Sequence, residues 1–188
     1  WDLSEQKIAQ IEKMQLAQIE GQVSKKRSDG QMQISIKTID YAPESTWEDF
    51  IPSTSLDIEQ IMQRIDDKIG SITHPHLKTL LNSFFEDAVL LEKFKKSPAA
   101  KKLHQAYRGG LAEHTLNVCQ ICETICQIYP QINRDFLISA ALLHDIGKVE
   151  EYQLRGIIDH TDKGKLIGHI IIGAEMIEEK IKLIKGFP

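Results

Sequence analysis

The sequence predicts a mainly α-helical protein: a helical domain preceded by a helix and a β-hairpin. Three observations carry that reading. From Leu56 onward, apolar residues recur at helical spacing almost without a break. Between Ile19 and Ile39 the apolar period shortens to two, the pattern of half-buried strands. The balance of 41% apolar and 27% charged residues is that of a chain with an ordinary core.

The elements follow in order. Asp2 to Ala17 reads as an amphipathic helix, with Ile8, Ile11 and Leu16 among Lys, Glu and Gln. Ile19–Val23 and Gln31–Ile39 read as strands, and Ser28-Asp29-Gly30 as the turn that joins them. A helix and a hairpin are too little to stand alone. They are either an appendage of the helical domain or part of a larger barrel. Residues 43–55, with Pro43, Pro52 and several Ser and Thr, read as a linker. The helices expected beyond it are Asp57–Ile72, Pro75–Phe94, Pro98–Tyr107, Leu111–Ile128, Arg134–Ile146 and Lys165–Ile184. Ser97-Pro98 offers a favourable start to the third, since Pro suits the first helical position. Ile157-Ile158 suggests a short strand.

Composition excludes some classes. No apolar run is long enough to span a bilayer, so no membrane role is expected. No secretory leader is visible, although the sequence lacks an initiator Met. A net charge of −4 argues against a protein that grips nucleic acid by bulk electrostatics, but allows a local basic track. Cys119, Cys122 and Cys126 interleave with Val118, Ile121 and Ile125 on one helical stripe, so they read as core thiols rather than a metal site. Reduced thiols fit a cytoplasmic setting.

The chemistry concentrates at Ala141-Leu142-Leu143-His144-Asp145-Ile146-Gly147-Lys148. An imidazole and a carboxylate end a stretch whose one polar residue from Phe136 to Leu143 is Ser139. Their desolvation calls for a partner. A divalent cation is one answer, because neutral imidazole and carboxylate are both good ligands. A helix-end Asp paired with Lys148 beside a core His is the other. His114 follows Gly109-Gly110 and opens a helix; His169 follows Gly168 and opens another. Glycine at those places lets a helix start with its side chains aimed at its neighbours. His114, His144, Asp145 and His169 are therefore expected to meet around one or two cations. Mixed N and O donors suit Mn, Fe, Co, Ni or Zn, and Mg less well.

The pattern His114 … His144-Asp145-Ile-Gly-Lys148 resembles the HD superfamily of metal-dependent phosphohydrolases. The stretches Ala106–Thr115, Tyr129–Asp135 and Gly164–Ile170 narrow it to the YhaM-type 3′→5′ exoribonucleases, which join an OB-fold to an HD domain. The resemblance covers nearly the whole chain. It implies that residues 1–42 are the C-terminal half of an OB-fold barrel and residues 56–188 an HD domain. It also implies further His and Asp ligands downstream, so the HD domain is expected to be truncated at its C-terminus. Asp159, His160 and Asp162 offer local substitutes, with His160 read as a solvated loop residue.

The expected function is phosphodiester hydrolysis, with single-stranded RNA the leading substrate and single-stranded DNA or nucleotides as alternates. Asp145 and Lys148 are the candidate catalytic residues. Lys148, three residues past Asp145, would share its helical face and present a point charge to phosphate. Lys101, Lys102 and Arg108 are candidate substrate contacts, within a run that includes Lys93, Lys95 and Lys96. Lys25-Lys26-Arg27 at the hairpin, and Tyr41, Trp47 and Tyr107, are further candidates for holding a strand. The alternatives are an HD phosphohydrolase of small or cyclic nucleotides and an inactive binding module. A homo-oligomer is compatible with the sequence.

Overall fold

The computed structural model describes residues 8, 11, 16–26, 30–43, 46, 50–154 and 157–188. The chain divides into two compact units: Trp1–Ile51 with Arg155–Ile157, and Pro52–Leu154 with Ile158–Pro188.

In the first unit, β1 (Ala17–Lys25) and β2 (Met32–Tyr41) pair antiparallel. A bulge between Glu20 and Gly21 shifts the register, and a Cβ on Gly21 would lie 2.7 Å from the Ser35 carbonyl. Most of the expected Asp2–Ala17 helix, the turn residues Ser28 and Asp29, Arg27 and Trp47 lie outside the described residues. The alternating pattern predicts one covered strand face. Among the described residues, Ile19, Val23, Met32 and Ile34 are instead all exposed.

The second unit is helical. Its helices are α1 (Ile58–Gly70), α2 (Pro75–Phe85), α3 (Ala88–Lys96), α4 (Gly110–Ile128), α5 (Arg134–Leu143), α6 (Lys148–Glu151) and α7 (Asp162–Leu183). The short strands β3 (Tyr152–Leu154) and β4 (Ile158–His160) pair between α6 and α7. The core is apolar, with Ile65, Leu81, Phe84, Phe94, Leu111, Ile138, Leu142 and Ile146 almost wholly buried. Cys119 and Cys122 belong to it. Burial pushes the Cys119 thiol up to about 12.

Local chemistry sets the helix ends. Asp57, Asp87, Asn133 and Thr161 each accept a backbone N–H at an N-cap. The Asp87 cap splits the expected Pro75–Phe94 helix into α2 and α3. The expected Pro98–Tyr107 helix does not form. Its backbone groups are claimed by tertiary bonds instead: Ala99 N–H donates to Gln105 O, and Lys148 Nζ to Ala99 O. Leu103 and Gln105 take positive φ in that loop. Arg134–Ile146 also ends early, at Leu143, and turns into α6.

Glu123 on α4 joins α1 and α5, accepting from Lys68 at 3.0 Å and from both Arg134 Nε and Nη2. The Arg134 hydrogen bond holds its carboxyl below the ordinary glutamate range, against burial. Because the folded-state pKa is depressed, this stability is complete above the unfolded pKa and is lost as pH falls through the folded one. Glu123→Gln should therefore cost about 1–3 kcal/mol at neutral pH in denaturant melts. The difference from wild type should shrink as acid protonates Glu123.

Candidate metal centre

The polypeptide places three imidazoles around one carboxylate. Gly109, at φ 82°, turns the chain into α4 so that His114 sits in its first turns. Gly168, at φ 72° and ψ 162°, breaks α7 just before His169. His144 and Asp145 occupy the tight turn between α5 and α6. The turn is pressed against α7: a Cβ on Gly147 would lie 2.1 Å from His169 O and 2.5 Å from Gly173 N.

Asp145 is buried. Its Oδ2 lies 3.2 Å from His144 Nε2 and 3.4 Å from His114 Nε2, and the two Nε2 atoms are 3.4 Å apart. His169 Nε2 faces the other oxygen, Oδ1, at 3.5 Å. Burial would raise the Asp145 pKa. The close His144 ring and the Lys148 ammonium outweigh it and hold the carboxyl well below the usual range. Burial lowers the His114 pKa, which favours the neutral imidazole a metal needs. The adjacent Asp145 carboxylate raises that of His144.

The second ring nitrogens explain why the first ones converge. His144 Nδ1 is 2.8 Å from the Ala141 carbonyl. His114 Nδ1 is 3.2 Å from Gln105 Oε1. His169 Nδ1 is 3.0 Å from Glu151 Oε1. Each partner atom is an acceptor, so each Nδ1 carries the proton and each Nε2 presents a lone pair. Two such lone pairs and a carboxylate oxygen within 3.4 Å repel one another without a cation between them. The donor set of His114, His144 and Asp145 therefore fits a divalent metal ion.

Lys148 is buried and does not project freely. Its Nζ donates to Asp145 Oδ2 and to Ala99 O, both at 2.7 Å, across a turn rather than along a continuous helix. Lys101 pairs with Asp159 at 2.7 Å. Lys93, Lys95 and Lys96 pair with Glu150, Glu59 and Glu92. These partners leave little net charge along the expected basic run. Lys102 is exposed. Arg108 is half-buried, and its backbone bridges to the Pro52–Thr54 segment. Tyr107 donates to Glu113 at 2.9 Å, and burial and that carboxylate push its phenol up to about 12. Tyr41 is exposed. His160 is not a solvated loop residue: it lies in β4, half-buried, with its ring 4.9 Å from that of Tyr152. Asp162 opens α7.

Gln105, Glu151 and the Ala99 and Ala141 carbonyls are parts of this centre that the sequence did not reveal. No local pattern distinguishes Glu151 from Glu150 beside it. An apolar groove of about 460 Å³ also reaches His144, lined among others by Leu77, Phe136, Ile170 and Ile177.

A family model of the HD domain matches residues 111–185, a stretch that holds His114, His144, Asp145 and His169. That stretch is similar to the HD domain. Relatives extend the likeness beyond that domain. The 3′-5′ exoribonuclease YhaM of Shouchella clausii is 31% identical over 97% of this chain and 57% of its own length. That of Oceanobacillus iheyensis is 29% identical over 95% of this chain and 55% of its own. The chain thus spans little more than half the length of these relatives. No solved structure is significantly similar. Among the described residues, no helix is long and apolar enough to cross a membrane.

The Gly147 contact yields a direct check. Gly147→Ala forces two backbones apart and should destabilise by about 1–3 kcal/mol in thermal melts. Gly70→Ala, where a Cβ meets nothing within 4 Å, should be neutral or stabilising by about 0.5–1 kcal/mol.

Proposed function

We propose that this protein is a metal-dependent phosphohydrolase acting as a 3′→5′ exoribonuclease on single-stranded RNA. The observation that supports this most is the convergence of His114 Nε2, His144 Nε2 and Asp145 Oδ2. The resemblance to exoribonucleases along nearly the whole chain supports the choice of substrate.

In this reading His114, His144 and Asp145 hold one divalent cation, and Asp145 and His169 a second. A bound cation supplies an activated water and neutralises charge on the phosphoryl oxygens. The chain's own groups do the rest. Asp145 stays ionised because Lys148 donates to it. The Nδ1 hydrogen bonds keep the imidazoles in one tautomer. Lys148 has three donors and uses two on Asp145 and Ala99, leaving one for a phosphate oxygen. The reaction forms a bond from the water oxygen to phosphorus and breaks the bond to the 3′ oxygen of the penultimate nucleotide. A nucleoside 5′-monophosphate leaves, and the shortened RNA regains its 3′ hydroxyl.

Residues 1–42 serve here as a partial OB-fold segment that holds RNA, with 43–55 as the linker and 56–188 as the HD domain. The exposed strand residues Val23, Met32 and Ile34 support a contact role. Lys101, Lys102 and Arg108 are the further substrate contacts. The free thiols support a cytoplasmic setting.

Asp145→Ala should lower release of mononucleotides from 3′-labelled single-stranded RNA by about 10⁴-fold or more, with RNA affinity retained. Turnover of free or cyclic nucleotides with none on RNA would favour a small-nucleotide phosphohydrolase. Unchanged RNA binding and no turnover by wild type would favour a binding module.

A further inference from the structure

Glu151 is a buried carboxylate that the proposed phosphoryl chemistry does not use. It sits at the end of α6, six residues past Asp145. A carboxylate in that position needs donors. His169 supplies two donors: the backbone N–H reaches Oε1 at 3.2 Å and the ring Nδ1 reaches it at 3.0 Å. Burial and this carboxylate also push the neighbouring Tyr152 phenol up to about 12. Oε2 has no hydrogen-bond partner among the described residues, although Nδ1 lies 3.0 Å away.

Two glycines make this pairing. Gly168 breaks the helix, so the His169 N–H belongs to a fresh helix start without an intrahelical acceptor. Negative charge is favoured at such a start. Gly164 lets α7 approach closely: a Cβ there would lie 2.3 Å from Glu151 O. The acid thus caps the second half of α7 and turns the His169 ring, leaving Nε2 aimed at Asp145 Oδ1.

The three imidazoles differ in what holds them. His114 has a neutral amide and His144 a backbone carbonyl; His169 has a carboxylate. A charged partner raises the basicity of the ligating nitrogen. That matters most on the Oδ1 side, where the described residues bring one imidazole to Asp145 rather than two.

We propose that Glu151 is the positioning residue for the second cation, fixing His169 so that its Nε2 and Asp145 Oδ1 form that site. The proposal rests on the metal reading above. It goes further in naming what controls filling of one half of the centre.

Manganese titration, followed by the electron paramagnetic resonance of free Mn²⁺, tests it. Wild type should bind two ions per chain, and His169→Ala one. Glu151→Gln keeps an acceptor oxygen and the side-chain volume but removes the charge. It should leave the tighter ion unchanged and weaken the other by about 10–100-fold, with the thermal midpoint kept. Glu151→Ala should weaken that ion at least as much. In the metal-free chain, ¹⁵N spectra should show His169 protonated on Nδ1 in wild type, with that preference lost in Glu151→Ala. The proposal is overturned if Glu151→Gln binds the weaker ion within about twofold of wild type, or weakens both ions alike. It is also overturned if His169 carries its proton on Nε2, or if wild type binds a single ion. A wild type that binds no Mn²⁺ at all would remove the metal reading itself.

Discussion

The structure depends on one buried carboxylate. Asp145 faces Lys148, His114 and His144 with one oxygen and His169 with the other. Burying such a charge costs several kcal/mol unless donors surround it. Its neighbours need partners of their own. Lys148 takes the Ala99 carbonyl, which anchors the loop before α4. That loop carries Gln105, which orients His114. Glu151 orients His169. Each member holds the next, so the centre is tied to the packing of α4, the α5–α6 turn and α7 together.

Those elements are interrupted where the four converging side chains lie. Gly109 and Gly168 take left-handed φ just ahead of His114 and His169. The turn at 144–147 replaces a continuous helix. An uninterrupted helix would spread side chains along its axis and around its face. The breaks let residues from three segments reach one point. Close backbone packing at Gly147 and Gly164 then fixes α6 against α7.

Much of this was legible in the sequence. The mainly helical class followed from apolar periodicity, and the meeting of His114, His144, Asp145 and His169 from residue type and their glycine neighbours. The Asp87 break was also written there, as an N-cap ahead of Ala88-Val89-Leu90, but a continuous apolar period masks it. The loop from Pro98 to Tyr107 was not legible. Its conformation is set by Lys148 and the α4 start, which are distant in sequence. The pairing of the lysines before α4 was not legible either, because their acidic partners Glu59, Glu150 and Asp159 lie far along the chain. Glu151 was hidden for the same reason: its role exists only once α7 folds back on α6.

The most direct test of the central claim is anomalous diffraction from crystals grown with Mn²⁺, measured on both sides of the manganese absorption edge. The account predicts an anomalous peak bounded by His114 Nε2, His144 Nε2 and an Asp145 carboxylate oxygen. A centre in which no peak appears there, or in which the His114 ring turns away from Asp145 while manganese binds elsewhere, would contradict it.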